Sequence, residues 1–108
     1  MKLSTVRTFA LSLPGVSEAP HHTFGSFRVG GRIFVTLPPG GEVIHVFLGD
    51  DEREQALAMH PDVTEKLMWG RKALGVRVAL RHASPAAVKR LLLQAWRHKA
   101  VREKSPKR

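Results

Sequence analysis

The chain has 108 residues, 43% of them hydrophobic, 25% charged and none cysteine, with a formal net charge of +9. This length supports one domain with its own core, and the hydrophobic content lies far from the disordered class. The lack of cysteine excludes disulfides and thiolate metal sites, and no apolar run reaches a membrane span or an unbroken signal-peptide core, so the sequence predicts a cytoplasmic protein without membrane association.

A first helix is predicted near the N-terminus, capped by Ser4, with Val6, Phe9, Ala10 and Leu13 spaced on one stripe and Pro14-Gly15 stopping it. Val16 to Pro20 reads as a connector, its end held extended by the Pro20 ring. Next comes the strongest local signal. The runs TFGSFRV and RIFVTL flank Gly30-Gly31, and glycine reaches the positive φ that two-residue hairpin turns require. An uninterrupted register sets Val29 opposite Arg32, Arg28 opposite Ile33 and Phe27 opposite Phe34, and a bulge in the hairpin shifts that pairing. Both strand faces are partly apolar, and either register remains open at this point.

LPPGGE is a second turn, and Val43 to Leu48 is a third strand whose two faces are again apolar. A second helix begins in GDDEREQALAMHPD, where Asp51 and Glu54 resemble a capping box and Pro61 ends the element. Its acids Asp50, Asp51, Glu52 and Glu54 are accounted for by the helix dipole, without a metal. Val63 to Trp69 and Leu74 to Leu80 read as the fourth and fifth strands around the basic turn Gly70-Arg71-Lys72. Ser84-Pro85 starts a last helix with Val88, Leu91, Leu92, Ala95 and Trp96 as its buried stripe. The expected architecture is α+β: a two-layer α/β sandwich of order α-β-β-β-α-β-β-α, with a five-stranded antiparallel sheet and helices mainly on one face. One domain is expected over residues 1–101, followed by a basic C-terminal tail at 102–108.

Charge is distributed unevenly. Residues 81–108 carry nine Lys/Arg against the single acid Glu103, a net +8, whereas residues 1–80 are nearly balanced at +1. Such a block is either a solubilising tail or a surface for polyanions, nucleic acid first. Candidate phosphate contacts are Arg28 and Arg32 at the first hairpin tip, Arg71 and Lys72 at the second, and Lys89, Arg90, Arg97 and Lys99 on the last helix. Aromatic stacking has weak support, because Phe27, Phe34, Trp69 and Trp96 all fit core positions.

Catalytic chemistry finds no footing. The six histidines include no H-x-x-x-H or H-x-H pair, and His21 and His22 are expected to point to opposite sides of an extended segment. Ser26 with His22 forms a drawable nucleophile-base pair, but no elbow or oxyanion motif surrounds it. Gly30-Gly31 and Gly40-Gly41 do not lead into a phosphate-binding helix. The sequence predicts a non-enzymatic protein with no catalytic residues, cofactor or metal.

The run ALSLPGVSEAPHHTFGSFRVGGRIFVTL, then WGRKALGVRVAL and LLLQAWRHKA, resembles the MmcQ/YjbR family of small bacterial proteins over roughly Val6 to Ala100. Its most specific parts are Leu13 to Val16, the FRVGGRIF hairpin, Trp69-Gly70-Arg71 and Ala95-Trp96. The resemblance implies a secretion-chaperone-like α-β(3)-α-β(2)-α fold and a DNA-binding role through a double-wing arrangement, with the two basic hairpin tips as wings. It supplies no catalytic residue set. The basic tail departs from the family pattern and adds to the polyanion reading. The expected partner is therefore DNA, bound non-specifically and salt-dependently. The alternative is a protein-interaction or chaperone-like module, or a homodimer, using the open sheet face.

Overall fold

In the computed structural model, which describes residues 1–101, helices α1 (Leu3–Ser12), α2 (Asp50–Met59) and α3 (Pro85–Val101) pack on one side of a sheet. Its strands are β1 (Val16–His21), β2 (Phe24–Val29), β3 (Arg32–Leu37), β4 (Val43–Phe47), β5 (Thr64–Trp69) and β6 (Lys72–Ala79). The sheet has the order β1-β2-β3-β4-β6-β5 and every pairing is antiparallel. The α+β class and one-sided helix layer match the expectation. The strand count does not: the sheet has six strands, because Val16–His21 pairs along its whole length with β2. That segment was legible only as a connector, since VSEAPH has little β propensity of its own. It is an edge strand, where one neighbour supplies the pairing and Pro20 needs no outward N–H to donate. The expected basic tail, 102–108, lies outside the described residues.

The β1–β2 connection is a two-residue turn at His22-Thr23, with His22 at φ 60. Histidine is among the few non-glycine residues that visit this left-handed region. The bend brings the His21 and His22 rings together at 4.7 Å between centroids, rather than sending them to opposite faces.

The first glycine hairpin resolves in favour of the bulge. Gly30 and Gly31 both have positive φ, and Val29↔Arg32 and Arg28↔Ile33 pair as expected, but Phe27 then pairs with Val35 instead of Phe34. The extra residue turns Val35 into the core alongside Phe34, each with no exposure. The β5–β6 hairpin repeats this design. Its turn is Gly70-Arg71, with Gly70 at φ 62, followed by the pairs Trp69↔Lys72 and Met68↔Ala73 and then a shift at Leu67↔Gly75. Each hairpin is therefore a two-residue turn, two residue pairs and a bulge, which increases strand twist near the tip.

Helix starts differ in detail. Lys2, not Ser4, occupies the α1 cap position without a side-chain bond, and the Met1 ammonium donates to the Leu80 carbonyl at 2.8 Å. Gly49, not Asp51, precedes α2, so the acids act from within the first turn through the helix dipole rather than as a capping box. α3 starts as expected, with the Ala87 N–H donating to Ser84 Oγ at 3.2 Å. Val88, Leu91, Leu92 and Ala95 are buried against Val6 and Ala10 of α1 and against Phe27, Val35, Ile44, Val46, Val76 and Val78 of the sheet. Among the described residues no helix is long and apolar enough to cross a membrane.

Candidate nucleic-acid interface

Four antiparallel steps separate β2 from β5, so both run the same way and both wing tips emerge at one end of the sheet. Only β4 lies between the two hairpins, which sets their midlines about 14 Å apart from strand spacing alone. β4 also runs toward this end, and α3 finishes there. A Cβ built on Gly49 would lie 3.5 Å from the His98 ring, and Lys99 Nζ sits 5.7 Å from the centroid of Phe47.

This topology sorts the eight candidate cations. Arg71 and Lys72 are exposed at the second tip, and Arg97 is exposed in the closing turns of α3. Arg32 opposes Val29 and so shares its helix-side face, whereas Arg28 is on the open face. Arg28 is partly tied down: Nε donates to Ser26 Oγ and Nη2 to the Pro20 carbonyl, both at 3.3 Å. Arg32, Arg71, Lys72, Arg97 and Lys99 therefore gather at the wing end. Lys89 and Arg90 do not. They lie in the first half of α3, on the helix layer, and Lys89 Nζ rests 5.7 Å from the Phe9 ring centroid of α1.

The wing end is not uniformly basic. α2 begins there with Asp50, Asp51 and Glu52. Arg53 offsets part of this charge, donating to Asp50 at 2.7 Å and to Glu54 at 2.8 Å. Hydrogen bonding from Arg53 holds the Glu54 carboxyl below its ordinary pKa. Lys66 approaches Glu54 at 3.6 Å and Thr64 Oγ1 donates to the His60 carbonyl at 2.7 Å, which places α2 on the helix side of β5. The acids thus face away from the open side of the sheet.

That open side carries a groove of about 630 Å³, running from the His22-Thr23 turn to the second wing. Phe24, Thr36, His45, Phe47, Leu67 and Trp69 line it. Here the sequence reading of Trp69 as a core residue is overturned: its side chain is 75% exposed. It lies on the open face of the edge strand β5, which the one-sided helix layer does not cover. Met68 beside it is 48% exposed. Ser26 is fully buried and donates to the Ala19 carbonyl at 2.7 Å, a cross-strand structural bond that takes it out of any nucleophilic arrangement with His22.

Of the histidines that line the groove, His45 sits on the central strand β4. Its Nδ1 is 3.2 Å from Thr36 Oγ1 and its ring lies 5.9 Å from that of Phe24. Burial, and secondarily the Arg77 charge, lower its pKa below the ordinary 6.5. The unfolded chain therefore takes up this proton at higher pH than the folded one. The contribution is complete above about 6.5 and is lost as pH falls through the folded value. Wild-type melting temperature is expected to fall more between about pH 7.5 and pH 5 than that of His45→Gln. Parallel curves for the two proteins would show that His45 is not the source.

A family model described as YjbR matches residues 11–98. No curated protein and no solved structure matches the chain.

Proposed function

This chain belongs to the YjbR family, and from that premise and the wing geometry we propose that it is a non-enzymatic DNA-binding protein that contacts phosphates through its basic hairpin tips and the end of α3. The observation that carries the reading is the placement of two like-built hairpins at one end of the sheet, with Arg71 and Lys72 exposed at one tip and Arg97 and Lys99 beside them. Phosphate neutralisation needs clustered cations and little else, so binding is non-specific and falls steeply with salt.

Duplex affinity measured from about 50 mM to about 200 mM salt tests this directly. Arg71→Ala with Lys72→Ala is expected to weaken binding across all sequences and to reduce the log–log salt slope by about two. Deleting residues 102–108 separates the tail from the wings. Loss of binding on that deletion alone, with the double variant unchanged, transfers the effect to the tail and ends the wing reading. No duplex binding at low salt ends the DNA reading altogether.

A second reading, a protein-interaction or chaperone-like module, is favoured by one observation: the groove together with exposed Trp69 and Met68. In its homodimer form it requires self-association by light scattering, and a monomer at high concentration removes that form.

A further inference from the structure

An indole 75% exposed at the rim of an apolar groove is an unusual surface for a small basic protein. Its neighbours indicate what it would meet. Lys72 directly opposes Trp69 across the hairpin and shares its face, and Arg71 lies in the turn between them. Beyond the wing, the open face displays Arg28 and Arg77, with Glu65 as the acid opposite Arg77 and bonded to it at 2.9 Å. The Asp50, Asp51 and Glu52 cluster belongs to the helix side. Arg71 and Lys72 thus place positive charge directly beside the exposed indole on the open side.

Aromatic rings continue inward from the rim. Phe47 and His45 of β4 and Phe24 of β2 line the groove, which crosses from β5 to β2 over four strand spacings, about 19 Å. A duplex keeps its base faces stacked inside and offers such a surface only phosphates and base edges. A single strand offers both a charged backbone and free base faces, and stacking on aromatic side chains is how sequence-tolerant single-strand binders gain affinity.

We propose that the open sheet face binds single-stranded nucleic acid, with an unpaired base stacked on the Trp69 indole, the backbone passing Arg71 and Lys72, and further bases entering the groove toward His45 and Phe24. The inference rests on the nucleic-acid reading above and names the strand form that the site takes. The uncharged sugar edge distinguishes DNA from RNA little on a stacking platform, so both forms belong in the test.

Fluorescence anisotropy of labelled oligodeoxythymidylate, oligouridylate and a duplex, each of about twelve nucleotides, is measured at low salt with the wild type, Trp69→Ala and Trp69→Phe. Single strands are expected to bind at least tenfold more tightly than the duplex. Trp69→Ala is expected to lower single-strand affinity about 5- to 100-fold, the range of one base on one aromatic ring, and to leave duplex affinity within about twofold. Trp69→Phe retains most of the single-strand affinity, which separates loss of stacking from loss of fold. Equal losses on single strands and duplex, or single strands no tighter than the duplex, overturn the inference while the wing reading stands. Binding of no nucleic acid at low salt overturns both. A wild-type dimer in sedimentation that Trp69→Ala converts to monomer assigns the face to a second copy and also overturns the inference.

Discussion

Gly75→Ala is expected to cost about 3 kcal/mol or more, one of the largest single-residue effects in this fold. Gly75 is buried in β6, opposite Phe47 of β4 and Leu67 of β5, immediately past the second bulge. A Cβ there would press into the Val46 carbonyl oxygen and meet Leu48 N and Phe47 Cα at 2.9 Å. These are backbone atoms, so no side chain can swing aside. The strands must separate, and with them the Leu48 N–H bond to the Leu74 carbonyl at 3.1 Å. Total stability for such a domain is about 5–15 kcal/mol, and each lost kcal/mol lowers the melting temperature by about 4–8 °C. A urea or thermal melt checks the value, and a loss below about 1 kcal/mol would show that β4 and β6 can part cheaply.

Phe34→Ala is expected to cost about 3–5 kcal/mol. Phe34 has no solvent exposure: it lies on the helix-side face of β3, two residues beyond Arg32, and the bulge adds Val35 to the core beside it. Truncation removes most of a large apolar side chain from a layer closed by α3, leaving a void that neighbouring β-strands are poorly placed to fill. Trp69→Ala is the internal control. It deletes a still larger aromatic group, yet the indole is mostly in solvent and the expected change in stability stays within about 0.5 kcal/mol. Denaturation of the two variants side by side tests whether burial, rather than aromatic content, decides which ring supports the fold. Similar losses for both would contradict the assigned exposures.

Charge at the wing end makes a related point. Five of the eight candidate cations converge there, but so do three acids, and net charge alone does not reveal that the sheet lies between the α2 acids and the exposed Trp69, Arg71 and Lys72. On the open face the exposed indole has Lys72 opposite it and Arg71 in the adjoining turn, so base stacking and phosphate contact can occur together there.

Much of the fold was legible in local patterns. The stripes of α1 and α3, the Ser84-Pro85 start and the Gly30-Gly31 and Gly70-Arg71 turns each depend on residues within a few positions of one another, so sequence spacing was sufficient. The need for positive φ at Gly30-Gly31 named the first hairpin tip, and the basic run Gly70-Arg71-Lys72 named the second. The candidate site was legible to the same depth: the tips and their arginines could be named, while their common end and the exposure of Trp69 could not. What tertiary structure alone decided were the pairings between distant segments. VSEAPH became a strand because β2 offered it an edge, the first bulge moved Val35 into the core beside Phe34, and the one-sided helix layer left His45, Phe47 and Trp69 around an open groove. None of these follows from propensity, because strand pairing and burial are properties of the partner as much as of the segment itself.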